Sequence, residues 1–501
     1  MESGGAGQEY AVVIKLRDGI DLQALETDVK NMGRRERAAT VFREIRARAE
    51  QTRQNLQSHL TTRAAMGKIK QMTPLWITNG IAVTADGETI TETASRPDVA
   101  EVIPDRIVTL GISAPATSAL PAGWNLDRVG VRSLWNAGHT GQGIVVANLD
   151  TGVDINHPEL ASKWRGGTNS WFDPNGEHLT PADLNGHGTQ TMGIMVAGNT
   201  TDHLFGVAPG AQWIAVKIFN DAGQTTYSLI HQAFQWILNP DGDTNTADAP
   251  DVVNCSWDLN SSITGTVYPE FRPDVQALVT AGIAVVFSAG NGGPAANTSV
   301  SPANYPESFS AGMTDGSDTV DPRSSRGPSA FDGTTIYPTV VAPGAGVTTT
   351  DLWFGSASLS TVMVNGTSFS APHVAGAMAL LLSGNPALTT GQMEDAIRQT
   401  AWDLGASGPD NEYGYGFLDV DRAARSLNLL PPSVGGDVNG NGALDLGDVL
   451  MVLKTAVGLQ TSAVEALRTE AGADVFPPAM PDGAITAGDA LTLLQLYVGA
   501  P

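Results

Sequence analysis

Residues 147–159 read ANLDTGVDINHPE, a short apolar run that ends on a carboxylate and a glycine turn. The role of Asp150 decides the fold. A carboxylate so placed can be one of a pair that shares a water, which requires a second such motif and a mostly β architecture. It can be the orienting acid of a Ser-His-Asp arrangement at the end of a buried strand. It can also be only a turn, because short polar side chains and glycine suit turns.

The flanking sequence separates these readings. No second Asp-Thr-Gly occurs in the chain. From 124 to 430, apolar β-branched runs (IVVANLD, WIAVKIF, DVVNCSW, IAVVFSAG, PTVVAPG) alternate with helical stretches. Runs without polar alternation suit strands of a parallel sheet covered on both faces. The expectation is a doubly wound α/β domain, with its site at the carboxyl ends of the strands. A carboxylate pair has no place in that architecture.

Two further stretches carry chemistry: NGHGTQTMGIMVAG (185–198) and NGTSFSAPHVAGAMALLL (365–382). Each sets a polar group beside glycines at the mouth of an apolar helix. Gly366 permits a tight turn, and Ser368 then falls at a helix N-terminus, where unpaired N–H groups can receive developing negative charge. Taken singly, each has a plain reading: Ser368 as a helix cap, His187 as a partly buried histidine, Asn291 in SAGNGGP as a turn residue.

Together, LDTGVDINHPEL, NGHGTQTMGIMVAG, SAGNGGP and NGTSFSAPHVAG, in that order, resemble the motifs of the subtilisin family of serine proteases. The likeness extends through GVAPGAQWIAVKIF (206–219), SSRGP (324–328), VVAPG (340–344) and YGYGFLDVDRAA (413–424), and SSRGP with NCSW is most similar to the bacillopeptidase F branch. The resemblance implies Ser368 as nucleophile, His187 as the base, Asp150 as its orienting acid and Asn291 as an oxyanion donor. It implies protein or peptide substrates, and it places Ser256, Trp257 and Asp258 on the strand that pairs with an extended peptide. The family carries glycine in the third of these places, so Asp258 either favours a basic substrate residue or points to solvent. A catalytically silent binding or scaffold protein is the rival reading, and the presence of all four catalytic residues speaks against it.

At 501 residues the chain is too long for one ordinary domain. Residues 1–112 resemble the family's inhibitory propeptide, with strands expected at 9–17 and 75–84, a helix end and last strand at 99–110, and a long helix at 34–66. That Arg-rich helix departs from the short family pattern, and its charges are expected to form a solvated face. The bland alternative is a permanent N-terminal domain. Residues 113–123 (SAPATSALPAG) read as a linker, 124–430 as the peptidase domain, 431–436 as a second linker and 437–501 as a small helical tail domain.

Charge is uneven. Residues 1–112 hold 15 of the 28 basic and 15 of the 52 acidic groups, so the rest of the chain carries the whole net charge of −24. Such a body repels nucleic acid and anionic membranes, and no stretch approaches the apolar length of a membrane span. The lone Cys255, in an apolar run, reads as a packing thiol. MESGGAGQEY lacks the regions of a signal peptide, so the protein is either intracellular or lacks its leader in this sequence; the family resemblance implies a secreted or cell-surface protein.

In the tail, DVNGNGALDLGD places Asp437, Asn439, Asn441, Asp445 and Asp448 at positions 1, 3, 5, 9 and 12 of an EF-hand-type calcium loop, with Asp for the usual Glu at 12. In a second copy Asp482 and Asp489 keep positions 5 and 12, while Asp474 precedes irregularly. The duplication resembles a dockerin domain, which implies structural calcium and a cohesin-like partner.

Overall fold

The computed structural model describes residues 8–111, 114–115, 122–198, 206–243, 245–246, 248–259, 264–355, 360–431, 436–438, 443–457, 459 and 485–498. The N-terminal unit is an antiparallel sheet of β1 (Glu9–Leu16), β2 (Ile69–Leu75), β3 (Gly80–Asp86) and β4 (Val99–Pro104), in the order β2-β3-β1-β4. Its helices are α1 (Leu22–Val29), α2 (Arg34–Ala65) and α3 (Gly87–Ala94). Val12, Ile14 and Leu16 alternate toward Leu56 and Leu60 of α2, the period-2 pattern of a half-buried strand. The stretch expected as one strand at 75–84 is instead a hairpin: β2 ends at Leu75 and β3 begins at Gly80. Asn79, at φ 53, turns the chain there, as an Asn-Gly pair readily does. Within 99–110 there is no helix end; α3 stops at Ala94, and β4 is followed by β5 (Ile107–Thr109).

The main body is built on seven parallel strands in the order β14-β13-β12-β11-β7-β9-β8. These are β7 (Val145–Asp150), β8 (Trp171–Phe172), β9 (Gln212–Lys217), β11 (Val252–Cys255), β12 (Ala284–Ser288), β13 (Phe309–Thr314) and β14 (Val340–Pro343). Successive residues serve opposite faces: Ala284 and Val286 of β12 join one core, Val285 and Phe287 the other. This is why the strands read as unbroken apolar runs. On the first face lie α7 (His187–Val196), α10 (Thr367–Gly384), α11 (Thr390–Thr400) and α12 (Val420–Ser426), and on the second α8 (Tyr227–Leu238) and α9 (Arg272–Thr280). Short helices α4 (Trp124–Arg128), α5 (Arg132–Asn136) and α6 (Pro158–Ala161) complete the first layer.

Two small sheets flank the body. β10 (Gln224–Thr226) pairs antiparallel with β5, and β15 (Ala345–Thr350) and β16 (Thr361–Asn365) form a sheet with β6 (Ala114–Pro115) at its edge. Part of the expected linker is therefore a paired strand.

The N-terminal unit shares a core with the body: Leu25, Val29, Val41, Phe42, Ile45 and Ile77 pack with residues of α8 and α9 such as Phe234 and Leu278. The expected solvated face of α2 holds for most of its length but not at its start. Arg34 Nη1 lies 2.6 Å from Asp251 Oδ1, and Arg37 Nη2 donates to the Val279 carbonyl at 3.2 Å. In the tail, helices Leu446–Ala456 and Ala487–Tyr497 pack around Val438, Val452, Ala490 and Leu493. Among the described residues no helix is long and apolar enough to cross a membrane.

Candidate active site

β7 delivers Asp150 to the carboxyl end of the sheet, fully buried. His187 is the first residue of α7, and the loop before it is fixed by Asp183. That carboxylate accepts the N–H groups of Asn185, Gly186 and Thr189, each at 2.9 Å, and the Thr189 hydroxyl at 2.7 Å. Gly188 brings α7 against the Asp-Thr-Gly turn; a Cβ there would lie 2.1 Å from the Gly152 carbonyl oxygen. In consequence His187 Nδ1 donates to Asp150, 2.8 Å from Oδ1 and 3.0 Å from Oδ2. The proton is thereby held on Nδ1 and the Nε2 lone pair is left available; Nε2 is buried without a hydrogen bond among the described residues. Burial alone would lower the His187 pKa, but the charge and hydrogen bond of Asp150, with a contribution from Asp183, raise it above the ordinary histidine value.

Ser368 arrives from the other side. β16 ends at Asn365, Gly366 turns at φ 155, and α10 starts at Thr367, so Ser368 lies in its first turn, 7% exposed. Its Oγ donates to the Ser256 carbonyl at 3.3 Å, while Ser256 Oγ donates to the Ser368 carbonyl at 2.7 Å. The next residue, Phe369, has its ring 5.5 Å from the His187 imidazole. Asn291 is exposed, and its Oδ1 accepts from the Thr367 N–H at 3.0 Å and hydroxyl at 3.1 Å. This turns the amide nitrogen toward Gly366, where a Cβ, were there one, would lie 3.8 Å from Nδ2. The four residues singled out as catalytic thus converge from four separate motifs.

The substrate-strand residues divide. Ser256 is bonded to Ser368 as above. The Trp257 ring is 3% exposed and packs with Phe234, Phe271 and Phe287, so its side chain serves the core. Asp258 is half-buried, and its charge is felt at the buried Tyr337 hydroxyl, whose pKa is raised mainly by burial. Cys255 is buried, which pushes its thiol well above the usual range.

Of the tail residues, Asn439, Asn441, Asp474 and Asp482 lie outside the described residues. Asp448 is fully buried and accepts the Val438 N–H at 2.8 Å and the Asp445 N–H at 2.7 Å. The Asp437 side chain is 1% exposed, 4.0 Å from Arg425. Asp489 is buried and accepts the Thr486 N–H and hydroxyl, each at 2.8 Å. Elsewhere among the described residues, only Glu177, His178 and Asp221 bring three donor atoms together. There Asp221 already sits 3.0 Å from the buried Lys217 ammonium and 3.0 Å from His178, so its charge is met without a metal.

Sequence reasoning missed Asp183, Asn148, Thr191 and Asn254, all buried around the site. The available signal was a polar residue interrupting an apolar strand, as in VVANLD and VVNC.

Comparison with known proteins agrees with this geometry. A model of the Subtilase family matches residues 141–416. The chain is 34% identical to Bacillopeptidase F of Bacillus subtilis (strain 168) over 434 residues, covering 78% of this chain and 29% of that protein. It is 33% identical to Subtilisin E of the same strain over 349 residues, 69% of this chain and 81% of that one. Against an Alkaline protease of Shouchella clausii it is 34% identical over 311 residues, 62% and 71% of the two chains. The chain spans less than a third of Bacillopeptidase F but most of the two shorter relatives. The family match covers more than half of the chain and contains β7, α7 and the turn into α10, so the chain belongs to the subtilase family, with the enzyme class of a serine endopeptidase.

Proposed function

We propose that Ser368, His187 and Asp150 are the catalytic triad of an endopeptidase made as a precursor, with residues 1–112 as its inhibitory segment. The observation that carries the reading is the His187–Asp150 bond at 2.8 Å, which leaves a buried, unpaired Nε2 near the turn that holds Ser368. In attack, Ser368 Oγ bonds to the scissile carbonyl carbon as its proton passes to His187 Nε2. Collapse breaks the C–N bond, and the departing amine takes that proton. Water then repeats the sequence and frees Ser368. The Ser368 N–H and Asn291 Nδ2 are the donors for the oxyanion; in subtilisin itself, losing the asparagine donor costs about 2.7–4 kcal/mol.

The prosegment reading rests on two strand pairings. β5 lies antiparallel on β10, with Leu110 N–H donating to the Gly223 carbonyl at 3.0 Å, and Asp105 accepts the Ser228 N–H at 2.8 Å at the start of α8. β6 pairs Ala114 with Asn365, three residues before Ser368. Only residues 110–113 separate the two pairings, and we place the processing cut there. The shared core of α1 and α2 with α8 and α9 gives the unit a hold that outlasts the cut.

For the tail we propose calcium held by Asp437, Asn439, Asn441, Asp445 and Asp448, with a second, irregular site at Asp474, Asp482 and Asp489. Buried carboxylates at Asp437 and Asp448 fit a hard cation with oxygen ligands. A cohesin-like partner agrees with the exposed Leu446, Leu450, Leu453, Leu491 and Leu496 on the two tail helices, and a secreted or cell-surface setting follows from the family. The rival, a silent scaffold, is tested by a fluorophosphonate probe: labelling that needs both Ser368 and His187 supports the enzyme, and no labelling of wild type supports the scaffold.

A further inference from the structure

We propose that Asn148, on β7 two residues before Asp150, is a positioning residue that ties the helix bearing His187 to the turn bearing Ser368; the inference rests on the triad assignment above. Asn148 is fully buried in a strand whose only other polar residue is the terminal Asp150. Its Nδ2 donates to the Gly188 carbonyl at 3.1 Å and to Thr191 Oγ1 at 2.9 Å, both on α7. Its Oδ1 accepts from Asn254 Nδ2 at 3.0 Å, and the same nitrogen donates to Ser256 Oγ at 2.9 Å. Ser256 Oγ in turn donates to the Ser368 carbonyl at 2.7 Å.

Both ends of this relay are carbonyls, which can only accept, and this fixes every proton between them. The Ser368 carbonyl takes the Ser256 hydroxyl proton, so Ser256 must accept from Asn254. The amide nitrogen of Asn254 therefore faces inward and gives its second proton to Asn148 Oδ1. Asn148 must then present Nδ2 to α7. Asn254 Oδ1 is left buried and without a hydrogen bond among the described residues.

Pro372 explains why the serine end is open. The helical partner of the Ser368 carbonyl would be the N–H of residue 372, which proline lacks. Ser256 takes its place. At the other end Gly188 is held from both sides, its N–H donating to Thr151 Oγ1 at 2.8 Å. Thr191 adds a branch: while accepting from Asn148, its hydroxyl lies 3.5 Å from Asp150 Oδ2 and 3.1 Å from the Gly188 carbonyl. Since Ser368 Oγ now points to the Ser256 carbonyl, it must swing to Nε2 for attack. The relay sets the distance across which it swings.

The test is Asn148→Leu, which keeps the branched shape and number of heavy atoms and removes both donors and the acceptor. On fully processed enzyme, with active sites counted by fluorophosphonate titration, kcat on a peptide anilide should fall ~10- to 100-fold, the cost of a small misplacement of reacting groups. KM should stay near wild type, because Asn148 touches no substrate. Ser256→Ala breaks the relay at its other end, so the double variant should lose little more than the worse single variant. A kcat per titrated site equal to wild type, or losses that multiply, would overturn the proposal. If Asn148→Leu does not fold, Thr191→Val with Ser256→Ala makes the same comparison through the branch. An active Ser368→Ala enzyme would instead sink the triad reading, independently of the relay.

Discussion

His231 offers a quantitative test of how the N-terminal unit and the body are joined. It is fully buried on α8, with Nδ1 2.8 Å from Asp274 and Nε2 2.9 Å from Glu270. Glu270 also takes Lys15 of β1 at 2.7 Å. Burial alone would lower the histidine pKa, yet the two carboxylates raise it to about 9. A folded-state value above the unfolded one means stability that is full below pH ~6.5 and lost as pH rises through about 9. His231→Ala leaves two buried carboxylates facing one lysine, and it removes the imidazole packed 4.7 Å from the Phe271 ring. Breaking a buried charge cluster costs ~3–5 kcal/mol, roughly 10 °C in Tm for a domain of this size. The deficit should peak near neutral pH. It should narrow above pH 9, where the wild-type histidine is itself neutral, and at acid pH, where the carboxylates protonate. Thermal melts of precursors carrying Ser368→Ala, which prevents self-digestion, give the measurement. A deficit below ~1 kcal/mol at pH 7, or one equally large at pH 7 and 10, would refute the reasoning, since it would mean that His231 carries no charge in the fold.

Two further outcomes are expected. Because Asp150 raises the His187 pKa and the base must be neutral to accept a proton, kcat/KM should rise with pH along a limb centred above ~6.5; a limb below that value in the pH profile would contradict the assignment. Removing calcium with a chelator should lower the helical circular dichroism and Tm of the tail and leave catalysis by the body largely intact. Asp437→Ala with Asp448→Ala should reproduce that loss, and a melt unchanged by chelator would remove calcium from the tail.

The parallel sheet was legible because strands buried on both faces need no polar alternation, so β7, β9, β11 and β12 stand out as apolar runs. Asp150, His187 and Ser368 were legible because each is flanked by the glycines that its turn or helix mouth requires. The β2–β3 hairpin was hidden because apolar residues continue through its turn, LWITNGIAV, leaving Asn79-Gly80 as the only mark. His231, Glu270 and Lys15 could not be joined from sequence, since Lys15 and Glu270 lie 255 positions apart. Arg34 and Arg37 read as solvated until α2 is laid against α9. Trp257 was expected on the peptide-binding strand for its position; that its ring fills the layer between the sheet and α8 and α9 could not be read from that position.

The central claim is that Ser368 is a nucleophile with the chain's own N-terminal segment drawn across its cleft. N-terminal sequencing and intact mass of wild type and Ser368→Ala, expressed and purified side by side, test it most directly. Wild type should be cut within residues 110–113, and Ser368→Ala should stay full length. Active wild type that still carries residues 9–113 in one chain, or a Ser368→Ala protein cut at the same bond by itself, would contradict it.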